Sequence, residues 1–442
     1  MACAVLTEFT VPDGAGAPKI VFVNRYFWPD ESATSRMLGD LAFRLAERGL
    51  RVSVVTSRQL YEDPKAALPP RESIRGVTVH RVSTATRGRS RLVSRALDYA
   101  SFHAAAGIEL LRILCRGDLV VAKTDPPLIS IAVARAAAWR GAQLVNWLQD
   151  LFPEVASALA ADALPKWLEN GLIAARDRSL RGAAMNVVLS EGMRARLVAR
   201  GIDARLVQVI PNWANGVDIV PIPTIKSQTR HRVGLDRCFV VGYSGNLGRA
   251  HEFETLLGAA RLLRTDPDIS FLITGGGAKA KALQHAVQTE GLVNIVLQNY
   301  QPPELLGDSL AASDVHFVSL LPAMEGLIVP SKIYGIMAAG RPVVFVGDPD
   351  GDVAGLIREH GCGIAVPVGQ SARLAAELRT LRSDPGRLEA MGKRARHLVM
   401  SRYTSEHAVT QWLAMLVGVA PQITAGIDPP MNSCNRTVMG DA

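Results

Sequence analysis

The chain has 442 residues, 48% of them hydrophobic and 20% charged, which is an ordinary globular composition at the length of two domains. A formal charge of +8 asks for an anionic partner: a nucleotide, a phosphate-bearing lipid, an acidic bilayer or a nucleic acid. Five scattered cysteines (Cys3, Cys115, Cys238, Cys362, Cys434), with no CxxC pair and no histidine cluster, point to a reducing compartment and to no structural metal.

Residues 1–17 carry Glu8 and Asp13 and lack a basic start followed by a long apolar core, so they read as a loose leader rather than a secretory signal. From there apolar runs alternate with helical patterns. Strands are expected at 19–24, 51–56, 77–82, 119–122, 143–147, 185–189 and 207–210, with a helix at 34–48 closed by Gly49. This predicts an α/β fold with a parallel sheet wound on both faces. Around 211–234 the pattern lapses into Asn, Pro and Gly, which marks a domain boundary. A second series follows, with strands at 239–243, 270–274, 294–297, 315–319, 342–346 and 363–366 and helices at 254–263, 278–289, 331–339 and 372–382. The uncharged run 408–427 is long enough to raise the question of a membrane span, but Gln411, Gly418, Pro421, Gln422 and Thr424 interrupt it, so a packed helix followed by a tail is expected.

Ligands of open α/β sheets bind at the carboxyl ends of the strands, so the strand-to-helix loops are where chemistry is sought. The loop 242–251 holds Ser244, Gly245, Asn246, Arg249 and His251; its amides suit an anion and Arg249 or His251 a phosphate, unless it is an ordinary glycine-rich turn. Gly275, Gly276 and Gly277 form a second such turn, which either borders a nucleotide or is simply a tight connection. Neither loop offers GxGxxG with an acidic ribose partner, which removes most support for dehydrogenase chemistry. The richest stretch is EGLIVPSKIYGIMAAGRP at 325–342, where Glu325 stands in a turn, Pro330 and Ser331 open a helix and Gly340 closes it. Free amides at that start suit a diphosphate, and Glu325 suits sugar hydroxyls or a developing positive charge; its bland alternative is a solvated loop acid.

In the first half, YFWPDESATS at 26–35 joins the first strand to the first helix, and Ser32 or Thr34 can cap that helix. QDLFPE at 149–154 follows an apolar strand; Asp150 there is either a cleft acid or a cap. Arg87, Arg89, Arg91 and Arg95 form a basic stretch that suits anionic lipid or, alternatively, a solvated face. Nucleic acid is disfavoured because no recognised binding motif accompanies the charge.

These stretches, with Asn24-Arg25, Ile210-Pro211-Asn212 and Gly275-Gly276-Gly277 in the same order, resemble glycosyltransferase family 4 over about residues 18–418. The resemblance implies a GT-B fold, two doubly wound Rossmann-like domains facing a central cleft. Its expected parts are the leader at 1–17, an acceptor-side domain at 18–217, a nucleotide-sugar-binding domain at 218–402, a helix at 403–418 crossing back onto the first domain, and a tail at 419–442. It implies retention of anomeric configuration, a nucleotide-sugar donor with UDP as the expected nucleotide, no separate cofactor and no metal.

By the same resemblance Glu325 is a catalytic candidate, and Arg249 and Lys332 join it as nearby cations suited to the diphosphate. Ser244, Gly245, Asn246, His251, Gly275, Gly276, Gly277, Gly326, Leu327, Ile328 and Ser331 are the donor-binding candidates, and Ser32, Thr34, Gln149 and Asp150 fall to the acceptor and cleft. The chain departs from the family where a second glutamate gives way to Gly335, where an arginine and a lysine give way to Asn246 and His251, and where a histidine gives way to Gln149. Lys332 and Arg249 are the cations placed to compensate.

The implied acceptor is a saccharide linked to polyprenyl diphosphate, in surface-polysaccharide assembly at the inner face of the cell membrane. A nucleotide-sugar epimerase of similar fold and a catalytically inactive sugar-nucleotide-binding subunit are the alternatives.

Overall fold

The computed structural model describes residues 18–85, 92–159, 165–214 and 219–424. The leader at 1–17, the arginines at 87, 89 and 91, and the tail from 425 onward lie outside the described residues. Fourteen strands are described: β1 Ile20–Val23, β2 Val52–Ser57, β3 Arg71–Ile74, β4 Val77–Val82, β5 Leu119–Lys123, β6 Gln143–Trp147, β7 Met185–Val188, β8 Val207–Val209, β9 Phe239–Ser244, β10 Ile269–Thr274, β11 Ile295–Gln298, β12 Val315–Ser319, β13 Val343–Gly347 and β14 Gly363–Pro367. They form a sheet of eight in the order β3-β4-β2-β1-β5-β6-β7-β8 and a sheet of six in the order β11-β10-β9-β12-β13-β14.

β1, β2, β5 and β10 are buried at every position, as parallel strands covered on both faces must be. The expectation of a purely parallel first sheet needs one correction. β3 pairs antiparallel with β4, Arg71 opposite His80 and Ile74 opposite Val77. The link is the two-residue turn Arg75-Gly76, both at positive φ (47° and 79°), a geometry whose twist suits a tight hairpin. β3 reads RESI and alternates between exposed and half-buried, so it carries no apolar run to announce it.

By backbone contacts the chain divides into two compact units, one of 1–126, 132–144 and 413–442, the other of 127–131 and 145–412. In the second unit, one core gathers Phe239, Val241, Phe271, Ile273, Val315 and Phe317 against Leu256, Leu257 and Leu378. Another sets Ile333, Ile336 and Met337 of the Lys332–Ala338 helix against Phe345 and Val399. A third joins Leu148, Leu151, Val188 and Leu197 to Leu327. Trp147 of β6 meets Trp412 edge to face at 4.7 Å and stacks near Trp213 at 6.1 Å; Trp147 and Trp412 are fully buried. The helix Ser405–Val419 ends the regular structure, and only the short turn Pro421–Thr424 follows it among the described residues. No described helix is long and apolar enough to cross a membrane.

Candidate active site

The carboxyl ends of β9, β10 and β12 bring together one group of the expected residues. β9 runs straight into Ser244, Gly245 and Asn246, and Leu247 N donates to the Gly276 carbonyl at 2.7 Å, so the two glycine-rich loops lie on each other. Two of their glycines are explained by that packing. A methyl group on Gly275 would sit 2.0 Å from the Gly245 carbonyl oxygen, and one on Gly277 2.2 Å from Asn246 Oδ1, with φ of 144° and 135°. Tyr243 donates its hydroxyl to the Asn246 carbonyl at 2.6 Å and fixes the loop from below.

Lys332, first residue of its helix, projects into this group. Its Nζ is buried without a hydrogen-bond partner, 3.7 Å from the centroid of the Tyr243 ring, and 3.5 Å from where a methyl group on Gly245 would be. Burial brings its pKa down to about 7. His251 holds the opposite wall: Nδ1 donates to the Ser319 carbonyl at 2.6 Å, and its carbonyl accepts from Lys279 Nζ. Burial, reinforced by the Lys332 charge, lowers the His251 pKa to about 4, so the ring is neutral at ordinary pH with Nε2 as an acceptor. Arg249 and Asn246 are exposed on the same loop.

Glu325 belongs to a second constellation, in the turn after the Pro322–Met324 helical turn. Its Oε1 accepts from Asp352 N at 2.7 Å, at the start of the helix Asp352–His360, while Oε2 is buried without a partner. Burial, with Asp352 and Asp348 nearby, raises its pKa above the usual carboxylate range against the pull of that hydrogen bond. Gly351 leaves room for the carboxylate, since a methyl group there would lie 2.5 Å from it. Asp352 in turn accepts from Gly192 N at 3.1 and 3.2 Å, and Arg196 donates to the Glu325 carbonyl. Gly326 follows at φ 68°.

The QDLFPE segment runs alongside. Leu151 N donates to the Leu327 carbonyl at 3.0 Å and Asp150 forms a β-bridge with Ile328, which puts Asp150 beside the 326–328 turn. Gln149 exchanges two hydrogen bonds of 3.1 Å with Asn212, tying the segment to the 210–212 stretch. Glu154 is taken up by Arg176. Ser331 stands at the helix start without a side-chain cap bond, and so does Ser32 at the start of Ala33–Glu47; Thr34 lies inside that helix, where its carbonyl accepts from Lys123 Nζ at 2.8 Å. Neither serine nor Thr34 is therefore the side-chain cap that the sequence suggests.

Sequence reasoning does not single out Arg196, Gly351 or Asp352, which hold Glu325. An exposed helical arginine and a Gly-Asp turn are common features, and only the chain's folding brings them to residue 325. Gly335, at the family's second glutamate position, has only Ile219 and Leu310 methyl groups at 3.8 and 4.0 Å from where a methyl group on it would lie. The described cysteines, Cys115, Cys238 and Cys362, are free thiols.

Two Rossmann-like sheets, with glycine-rich loops, a half-buried lysine and a half-buried acid after their strands, define a glycosyltransferase of the GT-B fold. The fold is also that of HepE from Anabaena, solved in complex with UDP and glucose, at 18% identity, covering 91% of this chain and 100% of that one, with a TM-score of 0.68. The model of the glycosyl transferase 4-like domain matches residues 32–213 and that of glycosyl transferases group 1 matches 227–398. Together they span most of the chain, which therefore belongs to the family 4-like glycosyltransferases. Its relatives include the probable glycosyltransferase WbjE of Pseudomonas aeruginosa, 28% identical over 65% of this chain and 72% of that protein. The putative colanic acid biosynthesis glycosyl transferase WcaI of Escherichia coli is 24% identical over 79% of this chain and 88% of its own.

Proposed function

We propose that this glycosyltransferase moves a hexosyl group, with retention of configuration, from a UDP-sugar to a saccharide carried on polyprenyl diphosphate, in the building of a surface polysaccharide. The observation that carries the reading is Lys332: a buried ammonium without a hydrogen-bond partner, walled by Tyr243, Gly245 and the His251 loop, is a cation waiting for an anion. A diphosphate leaving group gathers negative charge as the sugar–oxygen bond breaks, and a lysine fixed in a water-poor site stabilises that charge. In this reading no metal or separate cofactor is needed at that step. Exposed Arg249 is free to swing onto the same phosphates.

Glu325 is held at the next turn, where its partnerless Oε2 faces a hydroxyl or a developing oxocarbenium charge on the sugar. The acceptor proton goes to the departing phosphate oxygen, so a paired acid and base is not required. The UDP-binding neighbour and the polysaccharide-building relative are consistent with this donor and setting.

We further propose attachment to the cytoplasmic membrane face through the basic stretch at 87–95. The following helix Leu92–Ile113 supports it, since Leu97, Ala100, Ala104, Ile108 and Leu111 are exposed along one side. The test is a panel of nucleotide sugars against lipid-linked acceptors in excess chelator, with product mass, released nucleotide and anomeric configuration by NMR. Transfer from UDP-sugar with the donor's configuration retained is expected. Loss of activity on chelation, inversion, or conversion of the nucleotide sugar without acceptor would each remove the corresponding part of the reading.

A further inference from the structure

A buried guanidinium carries five donors and a full charge out of water, so it persists only where acceptors surround it. Among the described residues four arginines are buried, and three of them meet a carboxylate. Arg176 meets Glu154 at 2.6 and 2.8 Å and Asp177 at 2.8 Å. Arg230 meets Asp314 at 3.0 Å and the carbonyls of Leu235 and Ala312. Arg81 pairs with Glu72 and the Trp28 carbonyl.

Arg25 is the exception. It is 7% exposed, its Nε is buried without an acceptor as that of Arg81 is, and unlike Arg81 it has no described carboxylate paired with it. What it has instead are two ring faces, its guanidinium carbon lying 5.4 Å from the Tyr26 centroid and 5.3 Å from that of Tyr99. Asp30, the acid of the same loop, gives its two oxygens to the amides of Ser32 and Tyr61.

The backbone of Arg25 is as firmly held as its head is unpaired. Its amide donates to the Asp125 carbonyl at 2.7 Å, and its carbonyl accepts from Thr56 Oγ1 at 2.9 Å and Ser57 N at 3.0 Å. It stands just past the carboxyl end of β1, the ligand side of a parallel sheet, ahead of the fifteen-residue helix Ala33–Glu47. That helix has no acid in its first turn, and the hydroxyls of Ser32 and Ser35 at its start are also buried without partners.

We infer that Arg25, clamped between Tyr26 and Tyr99, is an anion subsite for a phosphate-class group, filled in the working enzyme by the diphosphate of the lipid-linked acceptor. The planar fork matches two phosphate oxygens, and the rings hold the cation in place before the anion arrives. The choice of acceptor diphosphate rests on the proposed transferase reaction; the subsite itself does not.

The test titrates the full-length protein and Arg25→Gln calorimetrically with inorganic pyrophosphate and with farnesyl diphosphate, with and without saturating UDP, beside a thermal melt of each. Binding to the wild type with UDP present, weakened about tenfold or more in Arg25→Gln, is expected. Arg25→Gln should melt no lower than the wild type, because it deletes an unpaired buried charge. Arg25-dependent binding that UDP abolishes keeps the subsite and assigns it to the nucleotide. Equal binding by both proteins overturns the proposal. So does a lowered melt in Arg25→Gln whose binding Arg25→Lys does not partly restore. Binding through Arg25 by a protein that transfers no sugar would keep the subsite and sink the transferase reaction. Transfer with an acceptor KM unchanged in Arg25→Gln would do the reverse.

Discussion

Arg196 donates two hydrogen bonds, from Nε at 2.9 Å and Nη2 at 2.5 Å, to the backbone carbonyl of Glu325. The contact joins the helix Glu191–Ala199 to the turn that carries the acid, and Gly192 of the same helix donates its amide to Asp352, whose own amide holds the Glu325 carboxylate. One helix thus fixes both the main chain and, through Asp352, the side chain of Glu325.

Arg196→Ala should therefore lower kcat, by on the order of ten- to a hundredfold, more than it lowers stability. A turn displaced by a fraction of an ångström spoils alignment, whereas an exposed arginine on a carbonyl contributes little to folding. Arg196→Lys, which keeps one donor, should recover part of the rate. Steady-state kinetics beside a melt decides it; a kcat loss matched by a large drop in Tm would mean that Arg196 is only structural.

Gly326→Ala carries a larger folding penalty. The residue sits at φ 68°, and an added methyl group would lie 2.7 Å from Arg196 Nε and 3.0 Å from the Gly192 carbonyl oxygen. Strain of about 1 kcal/mol or more is expected from the backbone alone, read from urea midpoints at constant m. An unchanged midpoint would show that the turn relaxes freely.

Glu325→Gln and Gly351→Ala probe the acid from two sides. Glutamine keeps an oxygen for Asp352 N, so the fold should stand while turnover falls and UDP affinity holds. In Gly351→Ala the methyl group meets the flexible carboxylate 2.5 Å away, so the side chain moves rather than the backbone. Its kcat should fall with little change in Tm. Full activity in either variant removes Glu325 from the chemistry.

Gly335 tests the family departure. A methyl group there meets only Ile219 and Leu310 at ordinary contact distance, in the Lys332–Ala338 helix. Gly335→Ala should stabilise by about 0.5–1 kcal/mol, through the unfolded chain and helix propensity. Chemical denaturation measures it, and destabilisation would show that the helix start needs glycine's freedom.

The strands that sequence reading finds are those buried on both faces, because a run such as IVFV at 20–23 cannot be hidden in a solvated loop. β3 escapes it because a polar edge strand has no such run and its Arg-Gly turn is a weak signal. The same contrast holds at the site. Glu325 and Lys332 are legible because one helix start carries both in a single stretch. Arg196 and Asp352 are not, since they reach the turn from 129 and 27 positions away. At Gly275 and Gly277 loop packing by itself demands glycine, so the sequence signal there has a structural source whether or not a ligand also lies against them.

Lys332 yields the prediction with the most definite sign. Its folded pKa near 7 lies below the ordinary lysine value of 10.5, because burial disfavours the ammonium. Between those values the unfolded chain holds more protons than the folded one, so this group makes stability rise with pH from about 7 to 10.5. Lys332→Met should lose that slope, and its stability advantage over wild type should be largest below pH 7 and shrink above it. Nucleotide binding runs the other way. A diphosphate needs the ammonium, so above pH 7 each UDP bound must draw in a proton and affinity should fall, by up to about tenfold per pH unit. Lys332→Arg, charged throughout, should flatten that dependence. Lys332→Ala should weaken UDP by on the order of 1.5–3 kcal/mol at pH 6.5–7, the range of a hydrogen bond to a charged group. Calorimetry between pH 7 and 9 in buffers of different ionisation heat counts the proton directly. No proton uptake, together with unchanged affinity in Lys332→Ala, would show that the buried ammonium is not the diphosphate's partner.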